Sequence, residues 1–256
     1  MARSTLETTP LAEIVRHDFR AGVILDEYQL DFCCGGALNL ADACRQRGVE
    51  VQRVVADIES LTPSSLDAPG NDPVALIAHI VDTHHSYVRQ SLPGILDHLS
   101  KVVAAHGSRH PELVFIESQF SQMAEDLLLH LVKEEQVLFP YIESLANTIS
   151  HGGPHPPDMF GTVQNPIRMM EIDHQEADDR MVAIREASHN YAPPADACNT
   201  YRLVLDELQA FERDLHRHVD LENNVLFPKT LELEEKAERL GRGLKSDQWE
   251  RQFSDR

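Results

Sequence analysis

From Asp72 onward, apolar residues recur at alternating steps of three and four. That spacing places them on one face of an α-helix packed against a core. Four such stripes follow in turn. The first reads Ala78, Val81, His85, Val88, Leu92, Ile95, Leu99, Val102. The second reads Ile116, Phe120, Met123, Leu127, His130, Glu134, Val137, Tyr141. The third reads Ile167, Met170, His174, Ala177, Met181, Ile184. The fourth reads Val204, Leu208, Phe211, Leu215, His218, Glu222, Val225. Asp72-Pro73 marks the start of the first, with a capping carboxylate and a proline at the first helical position. The pattern predicts an all-α chain whose main part, residues 73–240, is an up-down-up-down four-helix bundle. The connection at 147–165 reads as a loop, and a polar tail occupies 241–256.

Residues 1–61 read differently, as a small helical domain. Leu11–Arg20 is amphipathic, Asn39 can cap a helix running to about Gly48, and a further helix covers Val49–Leu61. Between the first two lies Asp31-Phe32-Cys33-Cys34-Gly35-Gly36, a turn whose glycines suit unusual backbone angles. Residues 62–72 contain the Pro-, Ser- and Gly-rich stretch Thr62–Asn71 and read as a linker.

Every stripe is broken by a histidine, and the second and fourth also by a glutamate. The two hairpins repeat: His130-Leu-Val-Lys-Glu134-Glu-Gln-Val-Leu-Phe-Pro140 matches His218-Val-Asp-Leu-Glu222-Asn-Asn-Val-Leu-Phe-Pro228 at a spacing of 88, and His85 and His174 lie 89 apart. Counted from the expected helix ends at ~1.5 Å per residue, all six polar seam residues fall at one depth. His and Glu four apart project from the same side of a helix. Two carboxylates and four imidazoles buried without partners would be very costly, and a metal removes that cost. Imidazole plus carboxylate suits iron or manganese, with zinc a competitor. The arrangement expected is two metals, each with two terminal histidines from His85, His130, His174 and His218. Glu134, Glu222 and a solvent-derived oxo or hydroxo group would bridge them. With two ferric ions the centre would keep a charge of about +2, which favours acids behind the ligands. Asp126 and Asp173 are the candidates.

Charge narrows the partners. Forty-two acidic against 23 basic residues give a net charge of -19. Such a surface repels phosphate backbones and anionic lipid, so neither nucleic acid nor membrane is expected. The first ten residues lack the apolar stretch of a signal peptide, and no run approaches ~20 apolar residues. Four cysteines, two of them adjacent, make a poor disulfide framework, so a cytoplasmic protein with reduced thiols is expected. Cys33 and Cys34 are either inert turn residues or, with a lowered pKa, a redox or metal-binding pair. Cys44 reads as a buried small hydrophobe, Cys198 as structural, and His98, His106 and His216 as surface residues.

These motifs resemble a family. The bundle resembles hemerythrin-like domains. The whole chain, from Asp31–Gly36 to Pro228, resembles the iron–sulfur cluster repair di-iron proteins, which join a small Cys-containing domain to such a bundle. In that family the first ligand follows a tyrosine, a few residues before Leu-Pro. Here the pair is His84-His85 before Leu92-Pro93, and both the distance and the apolar stripe select His85, with His84 the alternative. The resemblance implies two non-haem iron ions and a functional Cys33-Cys34 pair. It implies repair of clusters damaged by oxidative or nitrosative stress through donated iron, with damaged iron–sulfur proteins as partners and oxygen and nitric oxide as small ligands. The competing readings are an oxygen or nitric oxide sensor or carrier, which needs no cysteines, and an oxidoreductase acting on nitric oxide or peroxide. The chain has no nucleotide-binding glycine fingerprint, so electrons for such turnover would come from a partner or from thiols. Whether the protein turns over as an enzyme is left open, as is its oligomeric state, a homodimer being one option.

Overall fold

The structure is a computed structural model that describes residues 6–17, 20–30, 32, 37–60, 72–151 and 159–254. Among these it is all-α, with a lone β-bridge between Pro10 and Asn39. The turn residues Asp31 and Cys33–Gly36, most of the expected linker, and residues 152–158 lie outside the described residues. No helix among the described residues is long and apolar enough to cross a membrane.

Two compact units emerge. The first comprises the described residues up to Ala78 together with Asp220–Thr230. Its short helices are α1 (Leu11–His17), α2 (Arg20–Glu27), α3 (Leu40–Arg47) and α4 (Val51–Ser60). Leu11, Ile14, Leu25, Leu40, Val54 and Val55 form its buried apolar set. The expected Asn39 cap is present: its side chain accepts from the Asp42 backbone N–H at 2.8 Å. Gly48 closes α3 at φ +69°, the left-handed conformation that glycine adopts without steric cost. Leu11–His17 is helical as expected; Asp18 and Phe19 lie outside the described residues. Cys44 is buried, as its apolar neighbours require.

The second unit, His79–Val219 with Leu231–Arg256, holds the long helices. The first run covers residues 73–106, as α5 (Pro73–His79), a π-helical segment Ile80–His85, and α6 (Ser86–His106). The second covers 112–151, as α7 (Glu112–Lys133), a π segment Glu134–Leu138, and α8 (Phe139–His151). The third is α9 (Gln164–Ala187). The fourth covers 199–254, as α10 (Asn199–Asp220), a π segment Leu221–Leu226, and α11 (Phe227–Ser254). Side chains from all four runs share one core, from Leu99 and Phe120 to Met181 and Phe211. At 25 cal/mol per Å², each such fully buried side chain contributes about 1.5–3 kcal/mol.

The π segments depart from the register that the sequence predicts. A π turn takes up one extra residue, which lets the apolar stripe shift locally by one; the fourth run keeps its whole expected stripe despite its π segment. In the first run Ile77 and Ile80 are buried, while the expected Ala78 is exposed and Val81 half-buried. In the second, Val137 is 41% exposed and Leu138 takes its place at 1%. The third run, without a π segment, carries its whole expected stripe. Two helix ends also differ. α8 continues through Asn147–His151, since Leu145 and Thr148 extend its buried face. The fourth helix continues through the expected tail to Ser254. The start of α9 is held by Glu234, which accepts from the Val163 backbone N–H at 2.7 Å and the Thr162 hydroxyl at 2.8 Å. The first of these satisfies one of the backbone N–H groups that the start of a helix leaves without a partner.

Candidate metal centre

His85 closes the first π segment, Glu134 opens the second, and Glu222 sits inside the third. His130 precedes Glu134 by one turn, and His218 precedes Glu222 likewise on an unbroken helix. His174 lies mid-way along α9. All six side chains are buried, with Glu134 and Glu222 at 0% exposure. His85, Glu134, His218 and Glu222 each bring one ligand atom within 4.8 Å of the others, and so do His130, Glu134, His174 and Glu222. The two glutamates are common to both groups.

The geometry is nearly two-fold. His85 Nε2 and His218 Nε2 lie 3.1 Å apart, and His174 Nε2 and His130 Nε2 lie 3.0 Å apart. The rings of each pair meet at similar angles, 64° and 60°. Glu134 stands between the pairs, with Oε1 3.2 Å from His130 Nε2 and Oε2 3.4 Å from His85 Nε2. This donor set fits metal. Two nitrogens each ~2.1 Å from one ion at a right angle would stand ~3.0 Å apart, the spacing both pairs show. A carboxylate turning one oxygen to each pair is placed to bridge two ions. The buried His/Glu cluster therefore fits a metal site, and its nitrogen-and-oxygen set favours a transition metal over calcium.

The outward ring nitrogens are also held. His85 Nδ1 donates to Glu135 Oε1 at 2.6 Å, and Arg89 donates to the same oxygen at 2.8 Å. His130 Nδ1 faces Asp173 Oδ2 at 3.3 Å, and Lys133 donates to that oxygen at 2.7 Å. A carboxylate at Nδ1 fixes the proton there and leaves Nε2 free to ligate. Partial burial pushes the Glu135 carboxyl up, but hydrogen bonds from His85 and Arg89 outweigh it and hold the group below its ordinary value. Asp173 is held low in the same way, by Lys133 and His130 against its desolvation.

The residues singled out by the sequence pattern distribute unevenly. The six seam residues come together, and His85 rather than His84 joins the cluster. His84 instead bonds Asp214 at 3.0 Å and stacks on His218. Asp173 stands behind a ligand as expected. Asp126 does not: it is exposed, with Gln122 and Arg180 as partners. Glu135 escapes the sequence pattern: an acid directly after Glu134 on a mostly solvated face reads as an ordinary surface residue, yet it holds His85 Nδ1. His106 is buried rather than surface, and His98 and His216 are half-buried on Glu207 and Asp178. Cys198 is exposed and contributes no core packing. Cys33 and Cys34 lie outside the described residues.

Comparison with known proteins agrees with this architecture. Residues 76–230 match the hemerythrin HHE cation binding domain, and residues 7–62 match a domain of unknown function, DUF542. The chain is 31% identical to the iron-sulfur cluster repair protein YtfE of Enterobacter sp. (strain 638), over 87% of this chain and 96% of that protein. It is 32% identical to the probable iron-sulfur cluster repair protein of Haemophilus influenzae, over 81% of this chain and 90% of that one. The Escherichia coli O17:K52:H18 YtfE protein is 30% identical over 87% and 96% of the two chains. With a hemerythrin domain spanning its bundle and relatives matched over nearly their full length, the chain belongs to the iron–sulfur cluster repair protein family.

Proposed function

We propose that this protein repairs iron–sulfur clusters damaged by oxidative or nitrosative stress, acting as a source of iron. The observation that carries the reading is the placement of Glu134, one oxygen toward each of two matched histidine pairs. His85 with His218, and His130 with His174, would each hold one non-haem iron, and Glu134 and Glu222 would bridge the two. With an oxo or hydroxo bridge completing it, such a centre would supply a site for small ligands such as oxygen and nitric oxide and would exchange electrons. The chain's own part is to hold the imidazoles with Nε2 inward, through Glu135 on His85 and Asp173 on His130. It also supplies two fully buried carboxylates, Glu134 and Glu222, whose negative charge favours a bound cation.

Repair needs a partner, and the partners are damaged iron–sulfur proteins in the cytoplasm. Cys33 and Cys34 are assigned to the handover, since a vicinal thiolate pair binds ferrous iron readily. The test is recovery of a cluster-damaged hydratase. Iron-loaded protein restores more activity than the same amount of free ferrous salt, and Cys33→Ser/Cys34→Ser loses that advantage while keeping its iron. Recovery no better than the free salt would sink the repair reading. A double variant that repairs as well as the original would favour the oxygen or nitric oxide carrier.

A further inference from the structure

The outward side of the second run is unlike the rest of this acidic chain. Asp and Glu outnumber Lys and Arg by 42 to 23. Yet six residues between Leu128 and Val137 are exposed, and Lys133 alone among them is charged. Glu134 in that stretch is buried, and Glu135 is half-buried. Leu128, Leu129 and Val132 are 41%, 63% and 43% exposed. Residues three and four apart share a helix face, so these three form one apolar strip on α7. Glu125 and Asp126, a turn earlier, mark where it ends. Contiguous exposed apolar surface with a polar rim marks a docking site.

The rim is cationic on both sides. α7 lies between α6 and α9. Toward α6, Arg89 is 39% exposed and donates to Glu135 Oε1 at 2.8 Å. Toward α9, Lys133 is 52% exposed and donates to Asp173 Oδ2 at 2.7 Å. A guanidinium and an ammonium each carry more N–H groups than one carboxylate uses, so both have donors left for a partner. The same two carboxylate oxygens face His85 and His130, one from each group of clustered residues. The strip therefore lies outside both groups, about one helix diameter (~10 Å) away. An acidic protein is repelled by most of a surface of net charge -19, and here it meets two exposed cations.

We propose that this face of α7, with Leu128, Leu129 and Val132 between Arg89 and Lys133, is the surface on which the damaged iron–sulfur protein docks. The partner presents an apolar patch rimmed by carboxylates. The apolar strip supplies the dry contact, and the two cations set its orientation and reject surfaces of their own sign. The proposal rests on the iron-donor reading and adds to it the place and chemistry of the encounter.

The test is the rate at which iron-loaded, full-length protein restores a cluster-damaged hydratase, followed against hydratase concentration. Leu129→Glu/Val132→Glu puts carboxylates on the strip at exposed positions, so it spares the core, the six clustered residues and both ion pairs. It raises the hydratase concentration for half-maximal rate about tenfold, the loss of a contact of the size that dominates interfaces. Iron content, spectrum and the rate at saturation stay unchanged. Leu129→Lys/Val132→Lys removes the same apolar area but keeps the sign of the rim, and it loses less. Added salt raises the half-maximal concentration of the wild type by screening the rim. Leu203→Glu, at an exposed site on α10, changes nothing. Wild-type half-saturation in the Glu pair would overturn the docking surface and leave the repair reading standing. Equal loss in the Glu and Lys pairs would overturn the acidic partner. A concentration-dependent dimer that the Glu pair dissolves, with repair half-saturation unaltered, would assign the strip to a second copy and overturn the proposal too. Wild-type protein no better than free ferrous salt would overturn repair and docking together.

Discussion

At the scale of single residues, the hold on each ligand depends on what stands behind it. Glu135, itself held by Arg89, holds His85 from outside, so Glu135→Gln weakens the restraint on the ring without altering His85. Metal affinity then falls about 10- to 100-fold, the usual cost of losing such a partner, as read by competition with a chelator of known affinity. The same measurement on Asp126→Asn shows no loss at equilibrium, because Asp126 bonds Gln122 and Arg180 rather than a ligand. Away from the centre, Glu212 gives a pH signature. Burial raises its carboxyl above the ordinary value of 4.5, against the opposing Arg185 at 3.0 Å. A raised folded value means that folding favours the protonated form. Its stabilising contribution is complete below 4.5 and is lost as pH rises through the raised value. Wild type should therefore lose stability relative to Glu212→Gln as pH rises through that range, in paired thermal melts. A difference that grows more favourable with pH would contradict the assignment. The six clustered residues are legible from sequence because they are polar residues where a core stripe demands apolar ones. Glu135 is not, since an acid on a mostly solvated face looks the same whether or not a ring donates to it.

At the scale of helices, the π segments decide the register around the centre. Three of the four runs carry one, at His85, at Glu134 and around Glu222. Each inserts one residue, and no periodicity of 3.6 announces where. The third stripe, which lacks the insertion, and the fourth, which carries one around Glu222, both match their expected register throughout, whereas the first departs from it before His85 and the second at Val137. The swap between Val137 and Leu138 makes this testable. Leu138→Ala should cost about 2–5 kcal/mol, the range for a buried leucine. Val137→Ala should stay within about 0.5 kcal/mol, as at other exposed sites. Denaturant unfolding of the metal-free variants distinguishes them, and a larger loss at Val137 would restore the unbroken α register. The helix ends are hidden for a simpler reason: polar residues such as Asn147 and Ser150 look like loop but ride on the solvated side of a helix whose other face still buries Thr148.

At the scale of the whole chain, the all-α class and the duplicated hairpin are readable because both are repeated signals, carried by many residues at once. The centre also links to stability. A ligand that binds only the folded chain adds about 2.7 kcal/mol at one hundred times its dissociation constant, so iron removal should lower the melting temperature and reloading should restore it. An unchanged melt after complete removal would mean that the metal does not join the helices.

Metal content and the absorption spectrum, taken on protein prepared without added metal and alongside Glu134→Ala, put the centre itself to the test. Two irons per chain are expected, one for each group of ligands, with the near-ultraviolet bands of a bridged diferric centre. In the variant the iron falls below one per chain and the bands disappear. Colourless protein carrying zinc or no metal, or a Glu134→Ala variant with both irons and an unaltered spectrum, would contradict the claim that these six side chains enclose a di-iron centre.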